Sequence, residues 1–412
     1  MTPPADGIRG VPRKGTRGGG TPPSDAASAA FRRDPLAYLT REFAQAPDDV
    51  WRSAPGPVCV AGGEAAREVM ANAQGHFADT SDFFHTREGV FGPRAAQLEI
   101  GRAGRKLMRR HLAAHRDRLP HLVRTRLTPV SSWPDAGNLL VAEHLRELLL
   151  APEAPPALRD TIRDVITRAV LAGARERQTP PARLLLRRRV RRTLTREIRV
   201  RREALRRKGA PGVPRDLLDV VVAHGGSDAP PDELAEVYLS FVFATVGSIG
   251  FALGWCVYLT ATHPGTADEE PGYIVREALR LWPVAWLFAR TPEQAHELSG
   301  VPVGPGDEVA VCSYLVHHNP RHWPRPDSFE PGRWARPAPE AAYLPFGLGP
   351  HSCAGAGVTL HLLEDLVRLI VHELRPEVVP SGGAPHLGPA LAPPRFTAEP
   401  RGHVRTDPPE RR

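Results

Sequence analysis

Cysteine is scarce in this chain: 412 residues contain four, Cys59, Cys256, Cys312 and Cys353, and no two lie close together. That spacing excludes a disulfide framework and a Cys-x-x-Cys zinc site, and it fits a reducing cytosol. Long apolar runs are also scarce. The opening stretch "MTPPADGIRGVPRKGTRGGGTPPSDAASAAF" lacks the apolar region of a secretory signal. No segment offers the roughly 20 consecutive apolar residues that cross a bilayer. The nearest approach, "YLSFVFATVGSIGFALGWCVYL" from Tyr238, carries Ser, Thr and Gly and lacks basic flanks. It reads as a long helix buried in protein. The expectation is a cytoplasmic protein with no membrane partner.

What is present is ordinary for a globular chain, with 41% hydrophobic and 24% charged residues and enough length to bury a large core. The net charge of +8 is carried almost wholly by arginine, which fits either a solvated basic surface or an acidic partner. Residues 1–33 are rich in Pro, Gly and small side chains and read as a disordered tail. Residues 34–400 read as one domain, and 401–412 as a second tail.

Within that domain, "DPLAYLTREFAQ" reads as an amphipathic helix, and "VWRSAPGPVCVAG" as two short strands about a turn. Residues 75–98 show no steady period and read as a loop, with helix returning near Arg102. From Arg183 to Gly209 the chain is its most basic. Leu186, Val190, Leu194, Ile198 and Leu205 keep helical spacing, so the arginines fall on the opposite face. No aromatic is interleaved, which favours an exposed helix face over a nucleic-acid site. Asp232 is placed to cap the long apolar helix, and "VPVGPGDEVAVCSYLVHHN" suits a hairpin. The fold class expected is mainly α with a minor β portion.

"LPFGLGPHSCAGAG", Leu344 to Gly357, is the segment with the strongest chemical signal. Gly347 and Gly349 permit backbone angles that other residues avoid. Cys353 stands at a predicted helix start, where free N–H groups favour thiolate. Gly355 removes a side chain next to the sulfur, Phe346 is placed to shield it, and His351 to reach an anionic group. A flat ligand bound through thiolate needs each of these. Taken alone, the loop also fits a helix start with a buried Cys.

The loop resembles the cysteine-ligand signature of the cytochromes P450, Phe-x-x-Gly-x-(Arg or His)-x-Cys-x-Gly, through Phe346, Gly349, His351, Cys353 and Gly355. Further matches accompany it. Glu277 and Arg280 in "REALRLWP" look like the family's helix pair, and Arg333 in "FEPGRW" looks like its third member. The resemblance, from about Asp34 to Thr397, implies a P450-like helical fold around a buried haem b, iron protoporphyrin IX. In it Cys353 would ligate the iron, and Arg290, His351 and Arg105 would meet the propionates. The family's His-x-x-x-Arg pattern is only half kept, since Gly101 stands at the His position.

The long helix departs most. "ATVGS" occupies the family's (Ala/Gly)-Gly-x-(Asp/Glu)-Thr position, so Thr245 replaces glycine, Gly247 the acid and Ser248 the threonine. The acid–alcohol pair relays protons in hydroxylating relatives, and here a hydroxyl survives while the carboxylate does not. The pocket expected from the resemblance is lined by Phe243, Ala244, Val284, Trp286, Leu287, Phe83, Phe84 and Phe91. The implied partners are a separate ferredoxin and its reductase, docking on Arg102, Arg105, Lys106, Arg109 and Arg110, and a small-molecule or small-peptide substrate.

Three readings compete. The first is oxidation of a C–H bond in a molecule of bacterial secondary metabolism. The second is oxidative cross-linking of aromatic groups, which needs no oxygen insertion. The third is a basic nucleic-acid-binding helical protein. Zinc binding through His317, His318, His322 and Cys353 ranks last on spacing.

Overall fold

The computed structural model describes residues 25–400 apart from 54, 55, 81, 175, 210, 211 and 389, so most of both expected tails lies outside the described residues. Asp25–Arg33, which the sequence assigns to the tail, is a helix. Its alanines favour helix, and Phe31 meets Tyr38 edge-on with ring centroids 5.8 Å apart.

Helices dominate and strands are short. The axis of the fold is the long helix Pro231–Thr262. It is α-helical over Pro231–Val242, opens into a π-turn over Phe243–Ser248, and returns to α over Ile249–Thr262. Every residue from Ile249 to Val257 is buried, so its apolar face and flanks meet protein on all sides. The helices Asp135–His144, Pro271–Leu281 and Ala356–Val367 pack around it. Asp232 does not cap it. Pro230 takes the cap position, Pro231 opens the first turn, and Asp232 pairs with Arg191 from within that turn. Proline suits that place because it has no N–H to leave unpaired.

The basic segment forms the helix Pro180–Lys208, ended by Gly209 at φ +73°. Val190, Leu194 and Ile198 are buried, and most of the arginines lie outward as the pattern requires, but Arg201 is buried among acidic partners. Arg189 pairs with Asp164, and Arg201 with Glu197, Asp216 and Asp219.

A four-stranded sheet runs in the order Val50–Arg52, Val58–Val60, Val309–Val311, Phe288–Arg290. The expected hairpin through the Pro-Gly-Asp turn does not form. Val301–Val303 pairs instead with His296–Leu298, while Val309–Val311 lies parallel to Val58–Val60 and antiparallel to Phe288–Arg290. Val309–Val311 is buried throughout, and only a central place between two strands hides both its faces. The expected loop over 75–98 is also shorter than its pattern implied. A 3₁₀ turn Asp82–Phe84 and a small hairpin precede a helix that starts at Arg94.

Candidate functional site

The cysteine loop is built against two supports. Gly349 has φ +72°, and a Cβ there would fall 2.5 Å from the Met70 carbonyl oxygen and 2.7 Å from the Ala71 Cα. Only glycine lets the loop close on the helix Gly63–Ala71. The Cys353 N–H then donates to the Phe346 carbonyl at 2.9 Å, and the Ala356 N–H to the Cys353 carbonyl at 3.2 Å, which starts the helix Ala356–Val367. Cys59, Cys256 and Cys312 are buried, whereas Cys353 is exposed. The position of a Gly355 Cβ lies 3.8 Å from the sulfur, so a side chain there would crowd whatever the sulfur holds.

The N–H groups at the helix start favour the Cys353 thiolate as the sequence implies, but burial acts against them. Protein packed behind the sulfur raises the thiol above its ordinary value, and the N–H groups of Gly355 and Ala356 offset this only in part. A coordinating cation is what removes such a proton.

Basic groups gather on one side of the loop. His351 Nε2 meets Asp79 at 2.6 Å, and its Nδ1 is buried with no partner among the described residues. Arg94 donates to the Pro350 carbonyl and to Gln97 Oε1. Burial lowers the His351 imidazole, the nearby Arg94 and Arg290 lower it further, and Asp79 opposes them. Arg290 is buried on the edge strand of the sheet, opposite Val309. Arg105 is exposed, one turn from Gly101, whose missing Cβ would face that of Ala354 at 3.6 Å. Arg94 and Asp79 were not legible in the sequence, because Asp79 sits in an aperiodic stretch and Arg94 in one read as loop.

These residues fit a haem. A cysteine is exposed on a glycine-shaped floor, and Arg94 and Arg290 lie near enough to His351 to act on its charge. A basic cluster on one side of such a floor suits anionic propionates.

The supporting clamp lies behind the loop. Arg280 and Glu277 are fully buried on the helix Pro271–Leu281. Arg280 Nε and Nη2 hold the two Glu277 oxygens at 3.0 and 2.8 Å. Arg333 Nε and Trp334 Nε1 each reach the same carboxylate at 2.9 Å, and the Glu330 N–H at 3.1 Å. His317 ties the clamp to the loop. Its Nδ1 donates to the Arg280 carbonyl at 2.9 Å, and its Nε2 accepts the Leu344 N–H at 2.8 Å. His318 Nδ1 bonds the Tyr314 carbonyl, and His322 Nε2 accepts the Gly63 N–H. The zinc reading therefore fails, since these imidazoles serve separate backbone groups, and no metal-holding cluster occurs among the described residues.

On the long helix, Thr245 is buried and donates to the Phe241 carbonyl at 2.7 Å. Gly247 is buried, with its Cβ position 3.4 Å from Val170, and Ser248 is half-buried. Phe83, Phe243, Ala244 and Leu287 are half-buried too. Phe84, Phe91, Val284 and Trp286 are buried in the core.

A family model described as Cytochrome P450 matches residues 273–390, the span of the clamp and the loop. Cyclooctatin synthase of Streptomyces melanosporofaciens is 32% identical over 157 residues, 32% of this chain and 34% of that one. Thromboxane-A synthase of Rattus norvegicus is 29% identical over 194 residues, 39% of this chain and 36% of that one. The matched region thus spans about a third of these relatives' length. The fold is similar to CYP175A1 from Thermus thermophilus, with TM-score 0.68 and 20% identity over 92% of this chain and 97% of that one. It is also similar to CYP109B1 from Bacillus subtilis, with TM-score 0.67 and 16% identity over 88% and 98%. The clamp and the cysteine loop thus lie in a segment that matches the cytochrome P450 family, whose members use haem b, and the fold over most of the chain is the one cytochromes P450 share.

Proposed function

We propose that the chain is a haem-thiolate monooxygenase that oxidises a C–H bond of a small apolar molecule with O2 and two electrons. The observation that carries the reading is Cys353, the exposed cysteine of four, on a floor shaped by Gly349 and Gly355. Cys353 would be the axial ligand, and Arg94, Arg290 and His351 would hold the propionates. When bound, the haem supplies oxygen activation and one-electron chemistry. The protein's own contributions are distinct. The clamp of Glu277, Arg280 and Arg333 fixes the segment that carries the loop. Phe83, Phe243, Ala244 and Leu287 offer an apolar wall for substrate. Ser248 offers a hydroxyl able to pass a proton.

Similarity to cyclooctatin synthase supports a substrate from bacterial secondary metabolism. Arg105, Lys106 and Arg109, exposed on the helix Arg94–His115, form a basic face beside the loop that suits an acidic electron donor such as a ferredoxin with its reductase. Gly247 at the acid position favours a second reading, oxidative cross-linking of aromatic groups. Product mass separates the two: hydroxylation adds one oxygen, whereas cross-linking removes two hydrogens.

The test of the haem reading is optical. The reduced, CO-bound protein should show the red-shifted Soret band of thiolate ligation, and Cys353→Ser should lose it. A protein that stays colourless after growth with ample iron and porphyrin precursor, or a band unchanged in Cys353→Ser, overturns it.

A further inference from the structure

Asn138 stands against the π-turn of the long helix, and no spacing or motif draws attention to it. It is fully buried, and its Nδ2 donates to the carbonyls of Val246 at 2.9 Å and Gly247 at 3.1 Å. Two glycines let it in. A Cβ on Gly137 would fall 2.8 Å from the Gly250 carbonyl oxygen, and one on Gly250 would fall 2.4 Å from Asn138 Nδ2 and 2.6 Å from its Cα. The helix Asp135–His144 therefore crosses the long helix at backbone distance.

The π-turn explains what the amide does there. Shifting the ladder by one residue leaves a carbonyl without its usual helical donor. A buried acceptor left so costs about 1–3 kcal/mol. The Val246 carbonyl takes the Ile249 N–H, and Asn138 adds a donor from outside the helix to it and to the Gly247 carbonyl. With both carbonyls on its nitrogen the orientation of the amide is determined, and Oδ1 is left buried without a partner among the described residues.

The two gripped carbonyls lie between the two hydroxyls of the altered motif, Thr245 and Ser248. Thr245 directs its hydrogen to the Phe241 carbonyl at 2.7 Å. Ser248 has no side-chain hydrogen bond among the described residues and is half-buried. One hydroxyl is thus tied into the helix, and the other is available.

We propose that Asn138 is a positioning residue: by gripping the Val246 and Gly247 carbonyls it holds the π-turn open and presents the Ser248 hydroxyl as the proton-passing group of a site that has no carboxylate at position 247. The inference rests on the haem-thiolate reading and adds to it a residue from a different helix.

The holoprotein tests it through Asn138→Leu, Asn138→Asp, Ser248→Ala and the double variant Asn138→Leu/Ser248→Ala. Three readouts apply: the C–O stretch of the reduced CO form, amide hydrogen exchange over residues 243–251, and the peroxide-to-water partition of oxygen consumption driven by NADPH with an added ferredoxin and reductase. Asn138→Leu should shift the stretch, speed the exchange and raise the partition about tenfold, the equivalent of one net hydrogen bond. Ser248→Ala should raise the partition alike, and the double variant should add nothing further. Asn138→Asp should resemble the parent near pH 6, where a buried carboxyl is protonated and donates, and resemble Asn138→Leu near pH 9. Additive effects in the double variant, or an unmoved stretch and partition in Asn138→Leu that keeps its red-shifted Soret band, overturn the proposal. Should Asn138→Leu fail to fold, the pH series of Asn138→Asp decides, and a flat series overturns it. A missing Soret band in the parent would instead overturn the haem reading, and unchanged exchange over 243–251 would then count against Asn138 on its own.

Discussion

Replacing Arg280 with lysine keeps the positive charge beside Glu277 and removes only the planar fork, so it separates geometry from charge in the clamp. Arg280 makes five hydrogen bonds. Two go to the Glu277 oxygens, and three go to the carbonyls of His317 at 2.9 Å, Pro326 at 2.7 Å and Ser328 at 3.0 Å. A lysine ammonium has three donors on a single nitrogen, so at least two of the five bonds are lost. All of this lies at a residue with no exposure, where each lost bond to the carboxylate or to a buried carbonyl costs about 1–3 kcal/mol. The expected loss is therefore about 2–6 kcal/mol, a large part of the roughly 5–15 kcal/mol that holds a typical domain together. Urea unfolding, followed by far-ultraviolet circular dichroism and by the Soret band, should show an earlier midpoint at unchanged slope. It should also show haem loss preceding loss of helix, because the His317 bridge links Arg280 to Leu344. A variant within about 0.5 kcal/mol of the parent would refute the reasoning, since charge alone would then suffice.

Other substitutions test neighbouring links. Gly349→Ala should abolish haem retention, because φ +72° and a 2.5 Å clash with the Met70 carbonyl leave no room, while Gly357→Ala, with nothing within 4 Å, should stabilise its helix by about 0.5–1 kcal/mol. Thermal melts with haem quantitation distinguish the pair. Burial pushes His317 down to about 3, and His318 and His144 down to about 4. Unfolded imidazoles titrate near 6.5, so below that value the unfolded chain binds more protons and stability falls with pH toward about 3, being fully present above about 6.5. Urea midpoints from pH 8 to pH 4 check the sign, and His144→Phe should reduce the slope. Arg109→Glu should slow reduction by a ferredoxin without changing the Soret band, with an effect that shrinks in high salt. Stopped-flow reduction rates that do not change would remove that docking face.

The cysteine loop was legible because its chemistry is local. A thiol among glycines is set by spacing, and the long apolar helix declared its burial by composition; the Glu277–Arg280–Arg333 clamp came from the family resemblance, because a Glu–Arg pair one turn apart is common on any helix surface. The helix of arginines was readable for a similar reason, since the row Val190, Leu194, Ile198 leaves the charges only one face. Legibility ended where a residue's role depends on what meets it across the fold. Val309–Val311 looked like half of a hairpin, and burial on both faces sent it to the sheet centre. Arg94, Asp79 and His317 became part of the site only when distant segments were brought to the loop. Asn138 shows the limit most plainly. Its amide matters because two glycines, 113 residues apart as Gly137 and Gly250 are numbered, let two backbones touch. Local sequence determined which groups were available to bind a haem and what each helix had to bury; only the tertiary structure decided which donors face which acceptors, because a hydrogen bond between helices is settled by their approach and not by either helix alone.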